Sequence, residues 1–456
     1  MTRTMKNSGV EWIGQIPASW KSGRIKDILN VLTDYTANGS FADLAKNVEY
    51  LDYESYARLV RLTDLRSFLQ NYDAVYVDKN SYDYLSKSKL FGGEILVANV
   101  GAYAGLFCEM PKLNINATLG PNMFLITTNQ KMLQHFLFYL GNSDIIYKQL
   151  SAKMASAAQP KLNKQDIKTT YLLIPPLSEQ QAIADYLDDK CAQIDNITAT
   201  INEQIEVLKQ YKKSVITEAV TKGLDPNVPT KDSGVEWIGR IPKHWEVVKL
   251  KYALENNSEK IKVGPFGSTL KTSDYVDFGK WVYNQRTVLD NNFKSNSIFI
   301  SEEKYNLLSG FKVNEDDILI TTRGSIGKIA IVPKHFKEGI LHPCLMKFRI
   351  DRVILNYQII KHIFNNTDFI KEQFNYMSNG TTIDVIYSYN LKEIFLPVPS
   401  IHEQQAIADY LDDKCAQIDA VIANKQAQLE TLAAYKKSLI YEYVTGKKSV
   451  PGFEEA

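Results

Sequence analysis

Three short segments of the chain place hydrogen-bonding side chains on glycine-flexed turns. TTRGSIGK (321–328) puts Arg323, Ser325 and Lys328 directly behind a strand-like run, DDILITT. Arginine can bond guanine through two parallel N–H groups, the commonest base-specific contact, and lysine or serine can take a phosphate or a base edge. GPFGSTLKTSDY (264–275) offers Ser268, Lys271 and Ser273 in a glycine-rich loop where backbone can approach a phosphate. Asn379, Thr381 and Thr382 fall on another turn, SNGTTID (378–384). In the first half of the chain the corresponding positions are Asn99, Tyr103, Gln159 and Lys161, joined by Arg58 and Arg61 in YARLVRLTD. Each residue taken alone reads better as a solvated loop side chain. As a set, with different polar chemistry at equivalent places, they point to two readers of two DNA sequences.

Catalytic patterns are missing around them. RGSIGK (323–328) lacks the spacing of a phosphate-cradling G-x-x-x-x-G-K-[ST] loop, so ATP binding is not expected. No G-x-G-x-x-G opens a strand–helix unit, and IPPL (174–177) is not the Asn/Asp-Pro-Pro-aromatic tetrapeptide of an amino-methyltransferase. The six histidines are scattered; His135 lies on a helical stretch and reads as packed, and His335 with His342 would meet a metal only by accident of folding. The four cysteines form no CxxC pair, so neither a zinc site nor a disulfide framework is expected.

The elements that must hold these loops occur twice. SGVEWIG stands at 8–14 and at 233–239; EQQAIADYLDDKCAQID, seventeen residues, stands at 179–195 and at 403–419; YKKS follows at 211–214 and 435–438. Between these anchors, residues 21–170 and 246–394 share only short echoes such as GGEILVANVG (92–101) against EDDILITTRG (315–324). The chain is a tandem duplication that repeats its supports and varies what they carry.

The repeated segments predict two long helices over 177–222 and 400–446, each about 70 Å at roughly 1.5 Å per residue, stopping at Gly223 and Gly446. Leu187, Ile194, Ile201, Leu208 and Val215 recur every seven residues in the first, and Leu411, Ile418, Leu432 and Leu439 in the second, with Lys425 interrupting. That spacing predicts a coiled-coil seam. Cys191 and Cys415 fall beside it and read as small buried side chains. The remaining segments are 1–176, a first insert with its leader; 223–245, a Pro/Gly linker and the repeated leader; 246–399, the second insert; and the tail 447–456. Strand runs such as EILVANV (94–100), PNMFLITT (121–128) and KIAIVP (328–333), each set followed by an amphipathic helix, predict an α+β fold with two mixed inserts.

The whole chain has 53 Lys+Arg against 52 Asp+Glu, which excludes a strongly basic nucleic-acid coat. Charge is nevertheless partitioned. The two helices hold nine lysines and fifteen acids, leaving 44 basic and 37 acidic residues elsewhere, so the inserts would meet nucleic acid and the helices protein. With no apolar leader and no run of 18 apolar residues, the expectation is a cytoplasmic protein with free thiols and no membrane contact.

These motifs together resemble the DNA-specificity subunit of Type I restriction–modification systems over the full length. The carriers are S-G-V-E-W-I-G-x-I-P-x-x-W (8–20 and 233–245), GPFGS…LK…DY (264–275), D-I-L-I-x-x-R-G-S-x-G-K (317–328) and P-P-L-x-E-Q-Q-x-I-A-x-x-L (175–187). The resemblance implies a pseudo-symmetric duplication in which two target recognition domains are separated by two long helices forming an antiparallel coiled coil. It implies no catalysis in this chain, double-stranded DNA as ligand, and two kinds of partner. Two modification subunits would methylate adenine N6 with S-adenosylmethionine; restriction subunits would translocate and cleave DNA with ATP and Mg2+. The first insert departs from the pattern, carrying NVGAYAG (99–105) where the second has TRGSIGK and lacking a GPFGS-like block. Because the inserts differ, the target should be bipartite and asymmetric, its unread spacing set by the helices. Three other classes are considered: a free-standing nuclease or methyltransferase, which the missing motifs disfavour; a coiled-coil scaffold, which would explain the duplication but not the basic inserts; and a solitary DNA-binding repressor, which would need no partner, so that co-purification decides it.

Overall fold

A computed structural model describes residues 3–10, 13–154, 159–256, 261–377 and 385–453. Two compact units emerge, Met1–Ile201 with Ala427–Ala456, and Asn202–Gln426. They do not follow the linear domain divisions, because each unit takes half of each long helix.

The long helices are Leu177–Lys222, 46 residues, and Ile401–Val444, 44 residues. In the first unit the start of one helix runs beside the end of the other: Leu187, Cys191 and Ile194 share a core with Leu439, Tyr443 and Val444. The Lys436 ammonium meets the Asp195 carboxylate at 2.6 Å. In the second unit the roles exchange. Ile216, Ala219 and Val220 pack with Ile407, Leu411 and Cys415, and Lys212 meets Asp419 at 2.6 Å. Within each unit, therefore, the helices run antiparallel. Of the predicted seam, Leu187, Ile194, Ile201, Leu411, Ile418 and Leu439 are buried, whereas Leu208, Val215 and Leu432 are half-buried. Toward the end of the first helix the apolar face moves onto Ile216, Ala219 and Val220. A 3.6-residue turn drifts against a seven-residue repeat, and the end of the helix packs on a domain core rather than on one partner helix.

Each unit contains two four-stranded sheets, one of which has the same strand order in both units. In the first, Leu29–Asp34, Met123–Thr128, Ile95–Ala98 and Phe107–Glu109 lie antiparallel in that order; in the second, Ile261–Val263, Leu345–Phe348, Ile318–Thr321 and Ile329–Ile331 do the same. The other sheet of each domain has a parallel pair, Ala57–Val60 with Asn116–Leu119, and Lys280–Tyr283 with Gly339–Leu341. The buried strand Ile95–Ala98 is a continuous apolar run and its counterpart Ile318–Thr321 is apolar up to Thr321, as burial on both faces requires.

The repeated leader is a clip. Trp20 is fully buried and donates its indole N–H to Glu179 Oε2 at 2.7 Å, fixing the start of the first long helix. Trp245 does the same to Glu403 Oε1 at 3.0 Å. Gly446, at φ +69°, closes the end of the second helix against this clip; a Cβ there would sit 2.5 Å from Pro17.

A histidine also ties each domain to its helix. His135, on the helix Gln134–Gly141, bridges Glu109 and Asp188, and the Tyr139 hydroxyl donates to the same Asp188. The Glu109 hydrogen bond leads in raising the His135 pKa to about 9, with Asp188 adding to it against the opposing effect of burial. In the second unit His362 meets Asp412 at 3.1 Å, but burial lowers its pKa. A folded-state pKa above the unfolded one gives stability that is fully present below about pH 6.5 and is lost as pH rises through about 9. Since the His135 side chain is 34% exposed, screening limits the gain to about 1 kcal/mol. His135→Gln should therefore cost about 1 kcal/mol near pH 6 and almost nothing near pH 10, measured by denaturant unfolding of both proteins. A pH-independent difference would show that packing, not charge, is the contribution.

Candidate nucleic-acid interface

In the second domain two of the loops named from the sequence, 264–275 and 321–328, gather where four strands end. The turn after Ile318–Thr321 is closed by Thr321, whose N–H donates to Lys328 O at 2.9 Å and whose hydroxyl donates to Ser325 O at 2.6 Å. Gly324 and Gly327, at φ +64° and +76°, make that reversal possible. Thr322 donates its hydroxyl to Cys344 O at 2.8 Å, which ties the turn to residues 342–344. The GPFGS loop reaches the same place: a Cβ on Gly264 would stand 2.2 Å from His342 O, so only glycine fits. From the strand Lys280–Tyr283 comes Gln285, whose amide donates to Arg323 O at 2.9 Å.

Arg323 and Ser325 are exposed on this surface, and the Arg323 guanidinium has no hydrogen-bond or ion-pair partner among the described residues. Ser268, Lys271 and Ser273 are exposed on the adjoining loop, shaped by the Lys271 N–H bond to Asp274 at 2.7 Å. Lys328 is placed differently from the sequence expectation. Its ammonium donates to Asn365 O at the end of the helix Tyr357–Asn366, and burial, reinforced by the nearby Lys213, lowers its pKa. It is a structural cation rather than a reader. Asn379, Thr381 and Thr382 lie outside the described residues; the chain after them returns as Val385, which bridges Arg323.

The first domain repeats the backbone and alters the side chains. Asn99 O accepts from Leu162 N at 2.8 Å, as Thr322 O accepts from Ile386 N at 2.9 Å. Val100 bridges Lys161 where Arg323 bridges Val385. The two bridges are equivalent, and the exposed cation has changed sides: it comes from the strand-following turn in the second domain and from the returning segment in the first. Gln159 is exposed beside it. Asn99 Oδ1 is a buried acceptor without a partner among the described residues. Tyr103 is 43% exposed, with the Arg66 guanidinium 3.9 Å from its ring centroid.

Two arginines are corrected. Arg58 is 8% exposed, and its guanidinium donates to Leu69 O at 2.9 Å and Asn71 Oδ1 at 2.8 Å. Arg61 is held by Asp64 at 2.8 Å and Asp73 at 3.3 Å, and these acids raise its pKa. Both brace the loop after strand Ala57–Val60 instead of facing a ligand. Sequence reasoning missed Gln285 and Arg66, which join the two clusters through contacts between segments remote in the chain.

Burial raises the pKa of the Cys108 thiol to about 11 and also raises those of Cys191, Cys344 and Cys415. Among the described residues no group of three His, Cys, Asp or Glu side chains could hold a metal, and no helix is long and apolar enough to cross a membrane.

A duplicated support presenting two unlike polar loop clusters is the arrangement of a protein that recognises two different targets. The comparison with known families places it. Residues 17–207 and 242–431 each match the Type I restriction modification DNA specificity domain, and the chain belongs to that family. It is 26% identical over 454 residues to the Type I restriction enzyme MjaVIII specificity subunit of Methanocaldococcus jannaschii, covering 95% of this chain and 94% of that one. It is 24% identical to the EcoBI specificity subunit of Escherichia coli, covering 86% and 80%. Among solved structures, a chain from a study of complex assembly and conformational transition of the type I R-M system superposes with a TM-score of 0.68 at 16% identity, covering 95% and 99%. That likeness is one of fold.

Proposed function

We propose that this chain reads a bipartite, asymmetric sequence in double-stranded DNA and directs adenine-N6 methylation by two modification subunits. Restriction subunits would join the same complex in the cytoplasm. S-adenosylmethionine, ATP and Mg2+ would belong to those partners, not to this chain. The observation that carries the reading is the exchanged cation, Arg323 against Val385 in one domain and Lys161 against Val100 in the other. One scaffold offers two different donor patterns to the major groove, where each base pair shows a distinct pattern of its own.

The test is to co-express the chain with its modification subunit in a host free of adenine methylation and map N6-methyladenine across the genome. One asymmetric two-part motif is expected. A soluble, co-purifying complex that leaves no methylation would sink the proposal. Within such a map, Arg323→Ala should relax one base pair of one half-site, costing about 1–3 kcal/mol of discrimination there. Equal weakening on every sequence would mean that Arg323 holds only phosphate.

A further inference from the structure

The loop following the first domain's strand Ala57–Val60 carries an aromatic residue that the backbone there disfavours. After the helix Leu62–Arg66, Phe68 and Leu69 take φ +51° and +61°. In the second domain the helix Gln285–Leu289 ends the same way, with Asn291 at φ +46°. Hydrogen bonds align the two turns. Phe68 N donates to Leu65 O and Leu69 N to Asp64 O, as Asn291 N donates to Val288 O and Asn292 N to Thr287 O. Phe68 and Asn291 thus occupy one position. Asparagine tolerates the left-handed region, whereas a bulky aromatic is strained there. Burial does not offset the strain, since Phe68 is 84% exposed.

The surroundings hold this arrangement in place. Arg58 binds Leu69 O and Asn71; Asn71 donates to Asp64 Oδ1 at 2.7 Å and Asp73 Oδ1 at 2.7 Å; Arg61 grips both acids. Through Arg66 stacked on Tyr103, the turn adjoins the interface loop 99–105. A braced, strained turn presenting an unpacked aromatic ring beside a DNA-reading loop fits one ligand chemistry, the flat face of a nucleobase.

We propose that Phe68 is an aromatic wedge that stacks on a base of the half-site read by the first recognition domain. This role rests on the DNA-reading function proposed above, and it is absent from the second domain, where Asn291 stands instead.

The informative variant is Phe68→Asn, which installs the second domain's own residue. The complex with the modification subunit would be assayed on duplexes carrying its mapped motif, with 2-aminopurine placed in turn at each base of the two half-sites. Phe68→Asn should raise the unfolding midpoint by relieving strain and weaken binding roughly ten- to a hundredfold. The salt dependence should not change, because no phosphate contact is lost. Apart from the adenines that the modification subunits themselves extrude, wild type should brighten 2-aminopurine in one half-site only, and Phe68→Asn should abolish that signal while Phe68→Trp keeps it. A variant that binds and methylates like wild type overturns the wedge alone. So does one that loses the modification subunit while the chain's own DNA binding is intact, since the ring would then face protein. A wild-type complex that methylates no defined motif overturns the DNA-reading function itself, and this role with it.

Discussion

Removing seven residues from both long helices, 198–204 and 422–428, should shorten the unread spacing of the target by about three base pairs and leave both half-sites intact. Seven residues span roughly 10 Å of helix at 1.5 Å per residue, and B-DNA rises about 3.4 Å per base pair. Both helices must be cut, because they pack antiparallel in each unit and a single cut would break the register of Lys212 with Asp419 or of Lys436 with Asp195. The paired cut preserves the seven-residue phase: Leu208 moves into the place of Ile201, and Leu432 into that of Lys425. It also removes Gln204 and Lys425 together, which bond to each other at 2.6 Å, so neither loses its partner. Methylome mapping of the shortened chain reads the outcome. A motif with its original spacing would show that the helices do not set the distance between half-sites.

The second large effect lies in the leader clip. Trp20→Ala should destabilise the unit containing it by about 3–5 kcal/mol, since it empties the volume of a fully buried indole. It also takes a donor from Glu179, a carboxylate that is itself 2% exposed and grips Arg3 as well. Trp20→Phe keeps an aromatic ring but loses the N–H and part of the indole volume, so it should cost about 1–3 kcal/mol. Denaturant midpoints of the two variants separate packing from hydrogen bonding. If Trp20→Ala were no worse than Trp20→Phe, the cavity contribution would be wrong and the clip would act through its hydrogen bond alone.

Much of the architecture was legible in the residues. Seventeen identical residues at two places announce a duplication, and a seven-residue apolar repeat announces helices with a seam, because periodicity is a local property of the chain. Where one helix meets a domain core instead of one partner, the repeat stops being a guide, and burial passes from Val215 to Ile216. The Trp20–Glu179 clip spans 159 residues; the repeated motifs marked both of its ends but not their contact.

By itself, then, the sequence determined the duplication, the two long helices, the differing inserts between them and the family to which they belong. The tertiary structure decided which polar side chains remain available to a ligand. Arg58 and Lys328 look like DNA-binding cations in one dimension, yet Asn71 and the Asn365 carbonyl hold them. Arg323 and Lys161 keep exposed positions because the backbones beside them are paired while their side chains have no partner among the described residues. Residue type sets what a charge can do. Whether it is spent inside the protein depends on partners that folding brings from far along the chain, and local pattern carries no record of them.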